Sequence, residues 1–92
     1  MINISPSHSF TYASARINVY HANAKEGLVK HEHLYSHSIM CNAGRCLVSL
    51  QGRNYYLTKI SQPLNLPANE WHEIEALEDN TVFVNIFEEG KQ

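Results

Sequence analysis

Three of the chain's six histidines fall within seven positions, His31, His33 and His37 in the stretch HEHLYSH. A fourth, His72, opens the segment HEIEALE. Neutral imidazole is the commonest side-chain ligand for zinc, iron, copper and nickel. On a β-strand, residues i and i+2 project to the same face, so His31 and His33 are expected side by side. His37 keeps that parity and lies just across a short turn. His72 leads a second alternating run, with Ile74 and Ala76 on its face and Glu73 and Glu75 on the other. An HxH pair alone is also what a polar surface strand carries, so the rest of the chain has to decide. His8 and His21 stand outside any motif and read as surface or packing residues.

The elements that must position these side chains are short β-type runs separated by turn residues. Residues 16–22 read as a first strand, and 27–33, opened by Gly27, as a second. Residues 35–42 and 45–51 read as a hairpin around Ala43-Gly44. Residues 54–60 follow a turn at Gly52-Arg53, 63–68 form a short strand ending near Pro67, and 72–78 and 81–89 flank the turn Asp79-Asn80. The runs are rich in Val, Ile, Tyr, Phe and Thr, and none has a helical period. The expectation is an all-β fold, a sandwich or barrel. The first ten residues read as a loose arm or an added edge strand.

Length and composition bound the function. Ninety-two residues make one domain, here residues 1–92 with a barrel core over about 20–88. A domain this small gains from a bound metal or a second copy. The 43% hydrophobic content speaks against disorder. A net charge of −2, with no basic cluster, speaks against nucleic acid. No apolar run has the length of a membrane span, and MINISPSHSF lacks the pattern of a signal peptide. The expected location is therefore cytoplasmic, with Cys41 and Cys46 as reduced, buried thiols. Their spacing around Asn42-Ala43-Gly44-Arg45 also allows an oxidised pair across a hairpin.

The spacing of these residues resembles the cupin family. The family's first motif reads G-x5-H-x-H-x3/4-E-x6-G. Here His31 and His33 supply the HxH, His37 stands in the glutamate's slot, and Gly44 follows at the expected distance. The second motif reads G-x5-P-x-G-x2-H-x3-N. Pro67 and His72 match it, while Ser61, Asn69 and Ala76 replace a glycine, a glycine and an asparagine. Gly27 lies three residues before His31 rather than five. Asn69 is a mild change, because Asn tolerates the left-handed conformation. The resemblance covers roughly residues 20 to 88 and implies a small antiparallel jelly-roll barrel of the cupin type.

The resemblance also implies one divalent transition metal (Fe, Ni, Mn, Cu or Zn) held by His31, His33, His37 and His72. Replacing the glutamate with His37 leaves the ion's charge uncompensated by protein, which would draw an anionic substrate. It also disfavours magnesium and calcium, which want oxygen ligands. The expected function is a metal-dependent cupin enzyme acting on a small anionic or enolisable molecule. Dioxygenase chemistry and Lewis-acid isomerase or lyase chemistry are both open, because cupins host all of them. The alternative is a non-catalytic module that binds a sugar or other metabolite, with the metal as a structural pin. A weaker third reading is an interaction domain whose histidines bind nothing.

Parity names the cavity wall. Ile39 and Cys41 continue the face of His37, Ile74 and Ala76 that of His72, and Val48 and Leu50 belong to the strand between. Tyr35, Tyr55, Tyr56 and Arg53 are candidates for the pocket mouth, with Tyr55 inward and Tyr56 outward. The pocket candidates are thus Tyr35, Ile39, Cys41, Tyr55 and Ile74, and plain core packing explains the apolar ones equally well. Trp71 is expected outside the barrel or in a dimer contact. Glu70, Glu73 and Glu75 read as a solvated face. The expected partners are a small molecule and a second copy of the chain, with neither nucleic acid nor membrane.

Overall fold

The computed structural model describes residues 1–88, and every regular element among them is a strand. In chain order these are β1 (Ile2–Asn3), β2 (His8–Tyr12), β3 (Ala15–Ala22), β4 (Glu26–His31) and β5 (His37–Ala43). They continue as β6 (Cys46–Leu50), β7 (Arg53–Leu57), β8 (Leu64–Leu66), β9 (His72–Ala76) and β10 (Thr81–Glu88). Glu89, expected at the end of the last strand, lies outside the described residues. No helix among the described residues is long and apolar enough to cross a membrane.

The strands form two five-stranded sheets, ordered β1-β4-β9-β6-β7 and β2-β3-β10-β5-β8. All pairs are antiparallel except β1 with β4, so the N-terminal residues add one parallel edge to the jelly roll and one antiparallel edge, β2. The alternation in the sequence is the alternation of burial. In β9, His72, Ile74 and Ala76 are buried and Glu73 and Glu75 are not. Strand β6 repeats the pattern with Cys46, Val48 and Leu50 inward. The inner faces close over a core in which Ile39, Val48, Leu66, Ile74 and Phe83 are fully buried. Tyr20 stacks on Phe83 there, ring centroids 4.8 Å apart.

Two expectations about connections are corrected. Residues 35–42 and 45–51 do not form a hairpin: β5 bonds to β10 and β8, whereas β6 bonds to β7 and β9. The Ala43-Gly44 turn instead carries the chain from one sheet to the other. Gly44 sits there at φ +72°, and a Cβ on it would collide with Thr81. The second correction concerns His33, which lies beyond the end of β4, on the β4–β5 connection.

A bulge in β4 decides which side chain enters the barrel. Leu28 pairs with Ile74, but the register shifts by one before His31 pairs with His72. With strict alternation Lys30 would follow Leu28 inward. The extra residue leaves Val29 and Lys30 exposed and turns His31 inward instead. Re-aiming a side chain beside a site is a recurring use of bulges.

Candidate metal centre

The histidines gather at one end of the barrel because three of them occupy strand ends and the fourth lies on the loop between β4 and β5. His31 closes β4, His72 opens β9, His37 opens β5, and His33 hangs over them from the connecting loop. The Nε2 atoms of His31 and His72 are 3.1 Å apart. His31, His33 and His72 each bring a ring nitrogen within 4.8 Å of the others.

The tautomers follow from the backbone. Nδ1 of His31 lies 2.6 Å from the carbonyl oxygen of Val29, and Nδ1 of His72 lies 2.9 Å from that of Glu70. A carbonyl oxygen only accepts, so each Nδ1 carries the proton and donates. In the neutral rings each Nε2 then presents a lone pair, and the two lone pairs face each other. Such a pair is unfavourable unless a cation or a proton lies between. A separation of 3.1 Å is one that two imidazole ligands of a single ion can have when each bond is about 2.1 Å long.

His37 is 4% exposed, and neither of its ring nitrogens has a hydrogen-bond partner among the described residues. A buried polar group without a partner costs on the order of 1–3 kcal/mol, so its retention points to a missing partner. Its ring centroid is 5.0 Å from that of His33 and 5.4 Å from that of His72, and it stacks on Phe87 at 4.3 Å. It thus lies beside the three converging histidines rather than within their 4.8 Å group.

Burial favours the neutral form of His37, His72 and His33. It lowers His37 to about 3, helped by the neighbouring charges of His33, His72 and His31. It lowers His72 to about 4; the Glu70 carbonyl opposes this shift, while His31 and His33 add to it. His33 is lowered by burial and by His31. Neutral imidazole is the form that binds metals. The donor set, the lone-pair geometry and the orphaned His37 nitrogens all fit a transition-metal ion.

Beside the cluster lies a cavity of about 300 Å³, lined by His31, His33, Leu28 and Phe87 and, deeper, by Asn18, Tyr20 and Asn85. All but one of the pocket candidates from the sequence fall elsewhere. Ile39, Cys41 and Ile74 belong to the hydrophobic core. Tyr55 packs against that core and borders a separate cavity near Arg53 and Pro67, while Tyr56 points outward, 62% exposed. Tyr35 does lie near the site, stacked on His33 at 5.5 Å. Sequence reasoning did not single out Asn18, Tyr20, Asn85 or Phe87. Their signal is weak, since asparagines in β-type runs read as solvent-facing.

The architecture matches solved structures. KdgF from Halomonas sp. superposes with a TM-score of 0.76 at 17% identity, over 87% of this chain and 74% of that one. A cupin 2 domain-containing protein from Halorhodospira halophila superposes at 0.78 and 17% identity, over 92% of this chain and 64% of that one. The chain has the cupin fold. A double-stranded β-helix domain protein from Klebsiella pneumoniae agrees, with a TM-score of 0.75 at 13% identity over 96% of this chain and 76% of that one. No family model matches the sequence, and no curated protein does. In this chain the HEHLYSH segment and the turn before His72 are joined directly, because the Asn69 amide donates to the His33 carbonyl at 2.7 Å.

Proposed function

We propose that this cupin is a metal-dependent enzyme acting on a small anionic or enolisable molecule. The observation that carries the reading is the pair of facing Nε2 lone pairs on His31 and His72, 3.1 Å apart. His31, His33 and His72 hold one divalent transition metal (Fe, Ni, Mn, Cu or Zn), and His37 is the fourth ligand. Bound there, the ion supplies Lewis acidity for isomerase or lyase chemistry, or dioxygen chemistry if it is redox-active.

The chain's own part is positioning and charge. The Val29 and Glu70 carbonyls fix two of the rings before anything binds. Phe87 and Tyr35 pack against the histidines and keep that side of the site apolar. No carboxylate belongs to the converging group, so an anionic or enolate oxygen would supply the missing negative charge. Two free, buried cysteines suit a reducing cytoplasm. Two copies would meet through the outer face of the second sheet, where Phe10 is 47% exposed.

The test is elemental analysis of untagged protein beside His31→Ala and His72→Ala. The expected result is about one equivalent of metal in the parent and a loss in both variants. A parent that neither carries metal nor takes it up on reconstitution would sink the reading. An exchangeable water on the bound ion, read by proton relaxation, separates an enzyme from a module that merely holds a metabolite.

A further inference from the structure

The deep wall of the cavity is polar where a barrel interior should be apolar. Across the second sheet, Ser9 pairs with Asn18, Asn18 with Asn85 and Asn85 with Ile39, so these side chains form one row on the inner face. Tyr20 lies on the same face of β3, next to Asn18 and opposite Phe83. The Ser9 hydroxyl donates to Asn18 Oδ1 at 2.5 Å. Asn85 is 2% exposed, yet its Oδ1 has no hydrogen-bond partner among the described residues. A buried carboxamide oxygen left unpartnered is costly unless something else donates to it. It lines the same cavity of about 300 Å³ that reaches His31 and His33, at the small end of the range for ligand pockets.

We propose that Tyr20 and Asn85 form a hydroxyl-recognition subsite, so that a small polyhydroxy carbonyl compound sets its carbonyl end at the histidines and an uncharged hydroxyl between Tyr20 and Asn85. This deepens, and rests on, the metal-dependent reading above. A ligand hydroxyl is both donor and acceptor. It donates to Asn85 Oδ1 and accepts from the Tyr20 phenol. Burial raises the Tyr20 phenol above its ordinary range, and hydrogen bonds with Asn85 and Asn18 only partly offset that, so the phenol keeps its proton. Ser9 already occupies Asn18 Oδ1, which leaves Asn85 Oδ1 as the free acceptor for an incoming group.

Charge selects against an anion at this end. Among the described residues, no lysine or arginine lines the cavity. The one cation on the inner face of the second sheet among the described residues, Arg16, pairs opposite Phe87, one row nearer the rim. A carboxylate placed against Tyr20 and Asn85 would meet the Asn85 oxygen with no proton to give and would stay uncompensated. The subsite therefore sorts ligands by what stands at their far end, favouring hydroxyl over both carboxylate and methyl.

The experiment is saturation-transfer NMR on the full chain loaded with zinc, using xylose as the probe and glutarate and pentanal as controls. Binding of xylose, with glutarate and pentanal much weaker, is expected. In Tyr20→Phe and in Asn85→Leu the dissociation constant for xylose should rise about tenfold while the zinc content stays as in the parent. Tyr20→Phe removes one oxygen and decides the matter if Asn85→Leu does not fold. Xylose that fails to bind the parent, or that binds Tyr20→Phe as it does the parent, overturns the subsite. A parent that takes up no zinc overturns the metal reading instead, because the effect of Tyr20→Phe on xylose can be read with or without the ion.

Discussion

Asn69 holds His33. Its backbone amide donates to the His33 carbonyl at 2.7 Å, and it does so from the left-handed region, at φ +62°. His33 has no strand to fix it, so this bond is what ties its loop to the turn that leads into His72. Asn69→Gly should therefore keep both fold and metal, because glycine enters that region freely. Asn69→Val should shift the backbone out of it, at a cost of about 1–3 kcal/mol. The expected reading is a lower melting temperature together with at least tenfold weaker metal binding in a chelator competition. Equal metal affinity in Val and Gly variants would show that His33 is positioned by something else.

His37 sets function against stability. Its two ring nitrogens are buried and unpartnered among the described residues, and its ring stacks on Phe87. His37→Phe replaces an unsatisfied polar ring with an apolar one of similar size. The metal-free variant should be as stable as the metal-free parent or more so, by up to about 1–3 kcal/mol in a urea titration. Its metal affinity should fall. A metal-free variant much less stable than the parent would mean that the nitrogens do have partners in the fold.

Acid should unfold the chelated protein by the same logic. The folded state holds His37 at about 3 and His72 at about 4. An unfolded histidine titrates near 6.5. Between these values the unfolded chain binds more protons, so stability falls as pH falls. The slope is about 1.4 kcal/mol per pH unit for each histidine kept neutral, and it vanishes above about pH 6.5, where both states are neutral. Urea midpoints of chelator-treated protein at pH 7.5 and pH 5 should differ clearly. Equal midpoints would show that the folded rings take up protons freely.

The sequence carried the strands well because burial follows their alternation, as HEIEALE shows for β9. It carried His72 for the same reason. What it hid was non-local. The apolar runs on either side of Ala43-Gly44 look like a hairpin, yet their hydrogen bonds go to different sheets, a choice made by β10, β8, β7 and β9. The parity rule placed His31 and His33 together, but the actual devices are a bulge before His31 and a loop under His33. The polar row of Ser9, Asn18 and Asn85 was invisible because both faces of β3 and β10 carry apolar residues, so local pattern does not say which face is inside.

That second apolar face supplies the last prediction. Directly paired residues project to one side of a sheet. Val84 pairs with Val19 and Met40, Ile86 with Ile17, and Ile17 with Phe10, all on the side away from the core. Phe10 and Tyr12 at its edge are 47% and 72% exposed. An apolar sheet face with aromatic residues at its margin suits a partner of the same shape, and a two-fold axis makes one patch serve both copies. A 92-residue domain also has little core of its own to spare. Sedimentation equilibrium of the parent should give a dimer. Ile86→Glu would put two like charges into the shared face, about the same axis, and should give a monomer that still binds metal, since Ile86 points away from the histidines. A parent that sediments as a monomer across the micromolar range would leave this face without a second copy.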